Sequence, residues 1–249
     1  KIRLMIKLFR HIGQNLLMEN KTSKYFKYAI GEIILVVIGI LIALQINNWN
    51  EAKKSREKER QVLTSIISDL DYTLIDLDRV IDTSTNNIKR TISSIYTIID
   101  VLETNQSYHD SLAYNFRAVN AYDNIDFKTS GYQSLVSIGT DLVQDPKLRP
   151  AIGKFHTSSI NDIKGGFEEV HLDFYSYMID YYRKKFNTVF VDGTKDKLVP
   201  IDFEALKKDK EYIQSLKAFL CVNITYFKTL STVNNEAEQL KKDIENYLE

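Results

Sequence analysis

The chain has 249 residues, 33 of them basic and 33 acidic, and this balance argues neither for a nucleic-acid partner nor for a strongly acidic one. A single cysteine, Cys221, rules out an intrachain disulfide, so stability must come from buried apolar surface. Nine glycines and three prolines are too few for an all-β chain full of turns and favour long helices.

The amino-terminal stretch IRLMIKLFRHIGQNLL spaces Ile2, Met5, Ile6, Phe9, Ile12 and Leu16 by threes and fours, with lysine and arginine between them. This pattern predicts an amphipathic helix, lying either on an anionic leaflet or against a partner protein. Residues 1–27 are read as a cytoplasmic interfacial segment. Nothing in them resembles a kinase, a phosphodiesterase or a DNA-binding helix pair, so no cytoplasmic signalling output is expected from this chain.

From Ala29 to Ile46 the only ionisable side chain is Glu32 and the only other strongly polar one is Gln45. With Tyr28 and Trp49 at its ends the helix reaches ~33 Å, which matches a hydrocarbon core of ~30 Å. Residues 28–48 are read as a transmembrane signal-anchor helix, the competing reading being a buried helix of a soluble protein. The run ends in Ala43-Leu44-Gln45-Ile46 without a small-residue cleavage site, so it is expected to remain as an anchor. Seven cations precede Tyr28 (Lys1, Arg3, Lys7, Arg10, Lys21, Lys24 and Lys27), against five in the flank that follows. The bias predicts a cytoplasmic amino terminus, with residues 49–249 forming an extracytoplasmic, periplasmic domain.

The block YAIGEIILVVIGILIALQINNWNE, with ENKTSKYFK before it, resembles the amino-terminal signature of an uncharacterised single-pass membrane-protein family of Bacteroidota, a domain of unknown function. TSGYQSLVSIGTDLVQDPKLRPAI is similar to a second block of that family, in which a Tyr-x-x-Leu segment precedes a Leu-Arg pair. The resemblance implies an inner-membrane protein of a double-membraned bacterium and supports the topology above. No activity comes with it.

Beyond the span, EAKKSREKER carries charges at helical spacing without proline or glycine, and reads as a solvated helical stalk or, alternatively, as disorder. Leu63, Ile67, Leu70, Leu74, Leu77, Ile81, Ile88, Ile92, Ile95, Ile99 and Leu102 then mark a heptad seam, shifted once near Ile88 to Ile92. One helix from Glu51 to Glu103 is expected. Its partner is a carboxy-terminal helix with Ile213, Leu216, Leu220, Phe227, Leu230, Leu240, Ile244 and Tyr247 on one side. Between them the pattern predicts helices near Ser107–Tyr122 and Ser130–Leu142, and a longer one that Asp145-Pro146 opens and that runs to Phe186 with a kink at Gly165-Gly166. Thr188 to Pro200 alternates around Asp192-Gly193 and predicts a small β-hairpin. The expected fold class is all-α: one transmembrane helix continuing into an elongated helical bundle with a coiled-coil stalk and a hairpin near 188–200.

His109, His156 and His171 do not have metal-ligand spacing, and Cys221 in an apolar helix reads as a small buried hydrophobe. FYSYMIDYYRKKF reads as bundle core with phenols at its rim or as the lining of a ligand cleft. No Ser/His/Asp set or glycine-rich phosphate loop is visible, so no enzyme, cofactor or metal is expected. Glu32 lies at an expensive depth, and either snorkels to the cytoplasmic interface or sits at a helix–helix contact. Gly39 and Ala43 form a small-xxx-small pair that lets two helices approach, while Asn47, Asn48 and Trp49 mark the polar boundary. The expected role is a membrane-anchored interaction or scaffold protein of the bacterial inner membrane that, through its helical periplasmic domain, forms a homo-oligomer or binds another membrane or envelope protein, with the lipid bilayer and no nucleic acid as its other contacts. The alternative is a transport or channel subunit whose membrane helices line a path past Glu32.

Overall fold

The computed structural model describes residues 22–84, 86–119, 123–191 and 194–249. The amphipathic segment expected at residues 2–16 lies outside the described residues, as do Tyr122 and the Asp192-Gly193 turn. The chain divides into two units, Lys1–Lys58 and Glu59–Glu249.

Helix α1 (Thr22–Asp78) begins in the first unit. There the apolar run from Ala29 to Ile46 is uncovered, and EAKKSREKER is helical, with Lys54 paired to Glu51 at 3.1 Å.

The second unit opens with the remainder of α1, which ends in a π-helical turn, Arg79–Thr83. The chain is extended at Ser84 and restarts as α2 (Ile88–Glu103), so the single helix expected to reach Glu103 is interrupted. The cause is local. The Asn87 Nδ2 amide donates to the carbonyls of Asp82 (2.8 Å) and Ser84 (2.6 Å), and its Oδ1 accepts the Arg90 N–H (2.7 Å) as an N-cap. Short polar side chains compete with helix in this way. At its far end α2 closes with Asn105 in the left-handed region (φ 57°) and the Gln106 N–H on the Val101 carbonyl at 3.2 Å, a Schellman motif with Asn replacing Gly.

The carboxy-terminal helix α9 (Lys210–Leu248) starts at Asp209, whose Oδ1 accepts the Tyr212 N–H at 3.0 Å. Arg60 donates to the Leu248 carbonyl, Asp71 pairs with Lys241 and Glu103 pairs with Lys217. The order of these contacts makes α1 and α2 run in succession antiparallel to α9. The buried positions of α9, among them Leu216, Phe219, Asn223, Tyr226, Leu230, Val233, Ala237, Leu240 and Ile244, alternate steps of four and three. On α1 the buried seam is Leu63, Ile66, Leu70, Thr73, Leu77 and Val80, whereas Ile67, Leu74 and Ile81 are only partly buried. The expected stripe is therefore turned by one residue at every second position.

The chain returns along α1 through α3 (Leu112–Val119), shorter than expected, then α4 (Ser130–Ile138) and a 3₁₀ turn, Thr140–Leu142. Two buried carboxylates of α1 hold this return. Asp69 accepts the Ser130 hydroxyl (2.9 Å) and the Gly131 N–H (2.7 Å), and Glu59 accepts the Gln144 N–H (2.8 Å) and the Tyr247 hydroxyl (2.9 Å).

A third long run follows: α5 (Leu148–Lys154), a π-helical turn at Phe155–Ser159, α6 (Ile160–Asp173), a second at Phe174–Met178, and α7 (Ile179–Lys185). Asp145 Oδ1 accepts the N–H groups of Lys147 and Leu148, both at 2.7 Å, so it caps the run as its place before Pro146 suggests. The irregular turns do not fall at Gly165-Gly166. Gly166 serves close approach instead, because a Cβ there would lie 2.7 Å from the Tyr226 ring. Strands β1 (Phe186–Val191) and β2 (Thr194–Pro200) form the antiparallel hairpin, with an irregular step between Val189 and Phe190. Helix α8 (Phe203–Lys208), capped by Asp202, leads into α9. The class is all-α with one small hairpin. Tyr212, Phe116, Phe174 and Phe219 are the largest fully buried side chains of its core, and Phe116 and Phe186 lie with ring centroids 4.8 Å apart.

Candidate functional site

Glu32, Gly39 and Ala43 lie on α1 at separations of seven and four residues. Eleven residues are close to three turns, so the three fall within ~20° of one line along the helix. Asn50 completes that line and Asn47 lies beside it. Asn48 and Trp49 do not, since Asn48 falls on nearly the opposite side. All six expected residues are exposed, Trp49 at 68%. A Cβ added at Gly39 meets nothing within 4 Å, so no part of the described chain covers this face. No side-chain hydrogen bond or ion pair engages Glu32 among the described residues. The rest of the run, Ile33, Ile34, Val37, Leu41 and Leu44 included, is aliphatic and uncovered. The helix is long and apolar enough to cross a membrane. In hydrocarbon a line of one carboxylate, two small residues and an amide is the part of such a helix that gains from a polar or closely packed neighbour. The spacing that places Glu32 in line with Gly39, Ala43 and Asn50 is present in the sequence.

The remaining candidates separate into packing and surface. Among the described residues no group of three His, Cys, Asp or Glu side chains could hold a metal ion. His109 Nδ1 meets the Ser111 hydroxyl at 2.5 Å, and His171 stacks between Phe167 and Tyr175. His156 is buried, stacked on Tyr132 with centroids 4.3 Å apart, and its Nδ1–H donates to the Ile152 carbonyl at 2.9 Å. Burial pushes its imidazole below the ordinary histidine range, opposed by that hydrogen bond and by the charge of Asp69. Cys221 is exposed, which corrects its reading as a buried hydrophobe: the α9 seam turns Leu220 inward and leaves the next residue facing out. In FYSYMIDYYRKKF, Phe174, Met178, Tyr182 and Phe186 are core, and Tyr175 and Tyr177 are exposed.

The second sequence block has a packing role. Ser130 and Gly131 grip Asp69, Tyr132 covers His156, Leu135 is buried, and Arg149 donates twice to the Val143 carbonyl at 3.0 and 2.8 Å. A Cβ at Gly131 would lie 2.6 Å from the Ile66 nitrogen, so the block seats backbone to backbone on α1. No curated protein and no solved structure matches the chain. Residues 32–189, more than half of the chain, from the membrane-length run through this block to the first strand, match one family, and the chain belongs to it: DUF6090, a family of unknown function.

Proposed function

We propose that this protein is a membrane-anchored interaction protein of a bacterial inner membrane, with a cytoplasmic amino terminus and a periplasmic helical domain, which self-associates through its membrane helix. The observation that carries the reading is the uncovered line of Glu32, Gly39 and Ala43 on an otherwise aliphatic helix. A second copy of the same helix supplies both a close-packed small face and a hydrogen-bonding group for Glu32. Orientation and membrane follow from the excess of cations before Tyr28 and from the resemblance of the amino-terminal block to a Bacteroidota family.

The test is disulfide crosslinking in native membranes, in a Cys221→Ser background, with single cysteines at Gly39, Ala43, Ile34 or Leu41. Dimers should form at Gly39 and Ala43 and not at Ile34 or Leu41, which face the other way. Glu32→Gln should shift the dimer population by about 0.6 kcal/mol, the size of an interhelical hydrogen bond in a membrane. Equal crosslinking at all four positions, or none, overturns the interface. A conductance in planar bilayers that Glu32→Gln abolishes would turn the assignment to a channel.

A further inference from the structure

A groove of about 560 Å³ runs between α6 and α9. It is a feature of the folded helical unit and is independent of the membrane helix. Its α9 side, from Thr225 to Glu236, is ~16 Å long at 1.5 Å per residue. One end is closed by Glu236, which accepts from Lys154 at 2.6 Å and from the Ser159 hydroxyl at 2.5 Å. The π-helical turn Phe155–Ser159 delivers Ser159 to that carboxylate, and such turns recur at functional sites. The floor is open because of Gly165, where an added Cβ meets no atom within 4 Å.

The α6 wall offers acceptors, and the α9 wall offers both donors and acceptors. On the α6 wall Asp162 and Glu169 have no ion-pair or hydrogen-bond partner among the described residues, so both present acceptors. On the α9 wall Lys228 is likewise without an ion-pair partner among the described residues, and Thr232 has no side-chain hydrogen bond there. Tyr226 lines the groove, is 5% exposed, and has no hydrogen bond to its hydroxyl among the described residues. The protons of Thr225 and Thr229 go back to the Cys221 and Thr225 carbonyls, which leaves their oxygens as acceptors.

Free carboxylates on one wall disfavour an anion, and Lys228 on the other disfavours a simple cation. The unpaired charges on both walls disfavour a wholly apolar molecule. A ligand whose own groups both donate and accept on both of its sides satisfies the two walls together, and hydroxyl groups do that. We infer that the groove between α6 and α9 binds a short, uncharged oligosaccharide chain, with Asp162 and Glu169 accepting from sugar hydroxyls while Tyr226 and Lys228 donate to sugar oxygens.

Calorimetric titration of the full chain, held in a micelle whose detergent carries no sugar headgroup, tests this with maltotetraose and with the tetramer of N-acetylglucosamine as probes. Saturable binding of one of them is expected, weakened at least about tenfold by Gly165→Leu, which fills the floor, and by Asp162→Asn, with the helical circular dichroism unchanged. Should Gly165→Leu fail to fold, Thr229→Leu narrows the groove from the other wall. Failure of both probes to saturate, an affinity indifferent to these substitutions, or tighter binding of tetra-alanine than of either sugar would overturn the assignment. None of these outcomes depends on whether the membrane helix self-associates.

Discussion

Two glycines on helices of the same fold carry opposite expectations, because what decides is the space a Cβ would enter. At Gly131 it would sit 2.6 Å from the Ile66 nitrogen and 2.8 Å from the Ser65 carbonyl carbon, both backbone atoms that cannot turn aside. Gly131→Ala should destabilise the helical unit by about 1–3 kcal/mol in denaturant unfolding of the micelle-held chain. At Gly165 nothing lies within 4 Å, so Gly165→Ala removes unfolded-state entropy and should stabilise by about 0.5–1 kcal/mol. His156 sets a pH dependence of definite sign. Its folded value lies below the ordinary 6.5, so the unfolded chain takes up the proton first as pH falls. The melting temperature should hold above pH ~6.5 and fall below it, and His156→Gln should flatten that limb. Glu236 acts in a lower window. Lys154 and Ser159 hold its carboxyl below the ordinary 4.5, so its contribution disappears only as pH falls below that value.

At the scale of elements, the break after α1 rests on one side chain and the clasp on α1 on two, Glu59 and Asp69. Asn87 is only 8% exposed and joins the carbonyls before the break to the first turn of α2. Asn87→Ala should cost about 1–2 kcal/mol, a strong N-cap effect, whereas Asn87→Asp keeps the cap oxygen and loses the two amide donations. The ordering of the two variants in unfolding experiments checks which half of the side chain matters more. Asp69 is the second hinge of the packing. Its loss in Asp69→Ala leaves the buried Gly131 N–H without an acceptor, at about 1.5–3 kcal/mol for a charged hydrogen bond. Amide hydrogen exchange should then rise across residues 130–144 before it rises in α9. Uniform exchange across both would show that the return segment is not separately held.

For the whole molecule, the prediction concerns the membrane. If the excess of cations before Tyr28 orients the chain, protease added outside spheroplasts digests the residues beyond Glu51 and leaves a protected amino-terminal fragment. The protein should also stay with the membrane through alkaline carbonate and leave it only with detergent, because no other part of the described chain covers the Ala29–Ile46 run. Protection of the carboxy-terminal unit would reverse the orientation proposed above.

The sequence by itself determined the helical class, the membrane-length run, the Asp145 cap, the hairpin and most of the carboxy-terminal seam, of which Phe227 is only partly buried and Tyr247 is exposed. Each depends on neighbours within a turn or two, where spacing and composition act directly. Tertiary structure decided the rest. A heptad on this run offers Leu63, Leu70 and Leu77 with either Ile66 and Val80 or Ile67 and Ile81, and the first set is the buried one in a structure where both α9 and the segment 123–144 contact α1. Glu59 falls in a run that reads as a solvated stalk, yet it and Asp69 are buried, since their donors at Gln144, Tyr247, Ser130 and Gly131 come from distant sequence. The groove beside Gly165 was unreadable for the same reason. Asp162 and Thr229 face one cavity only because Gly166 lets Tyr226 bring α6 and α9 together, and a pattern within one helix carries no record of what another helix leaves empty.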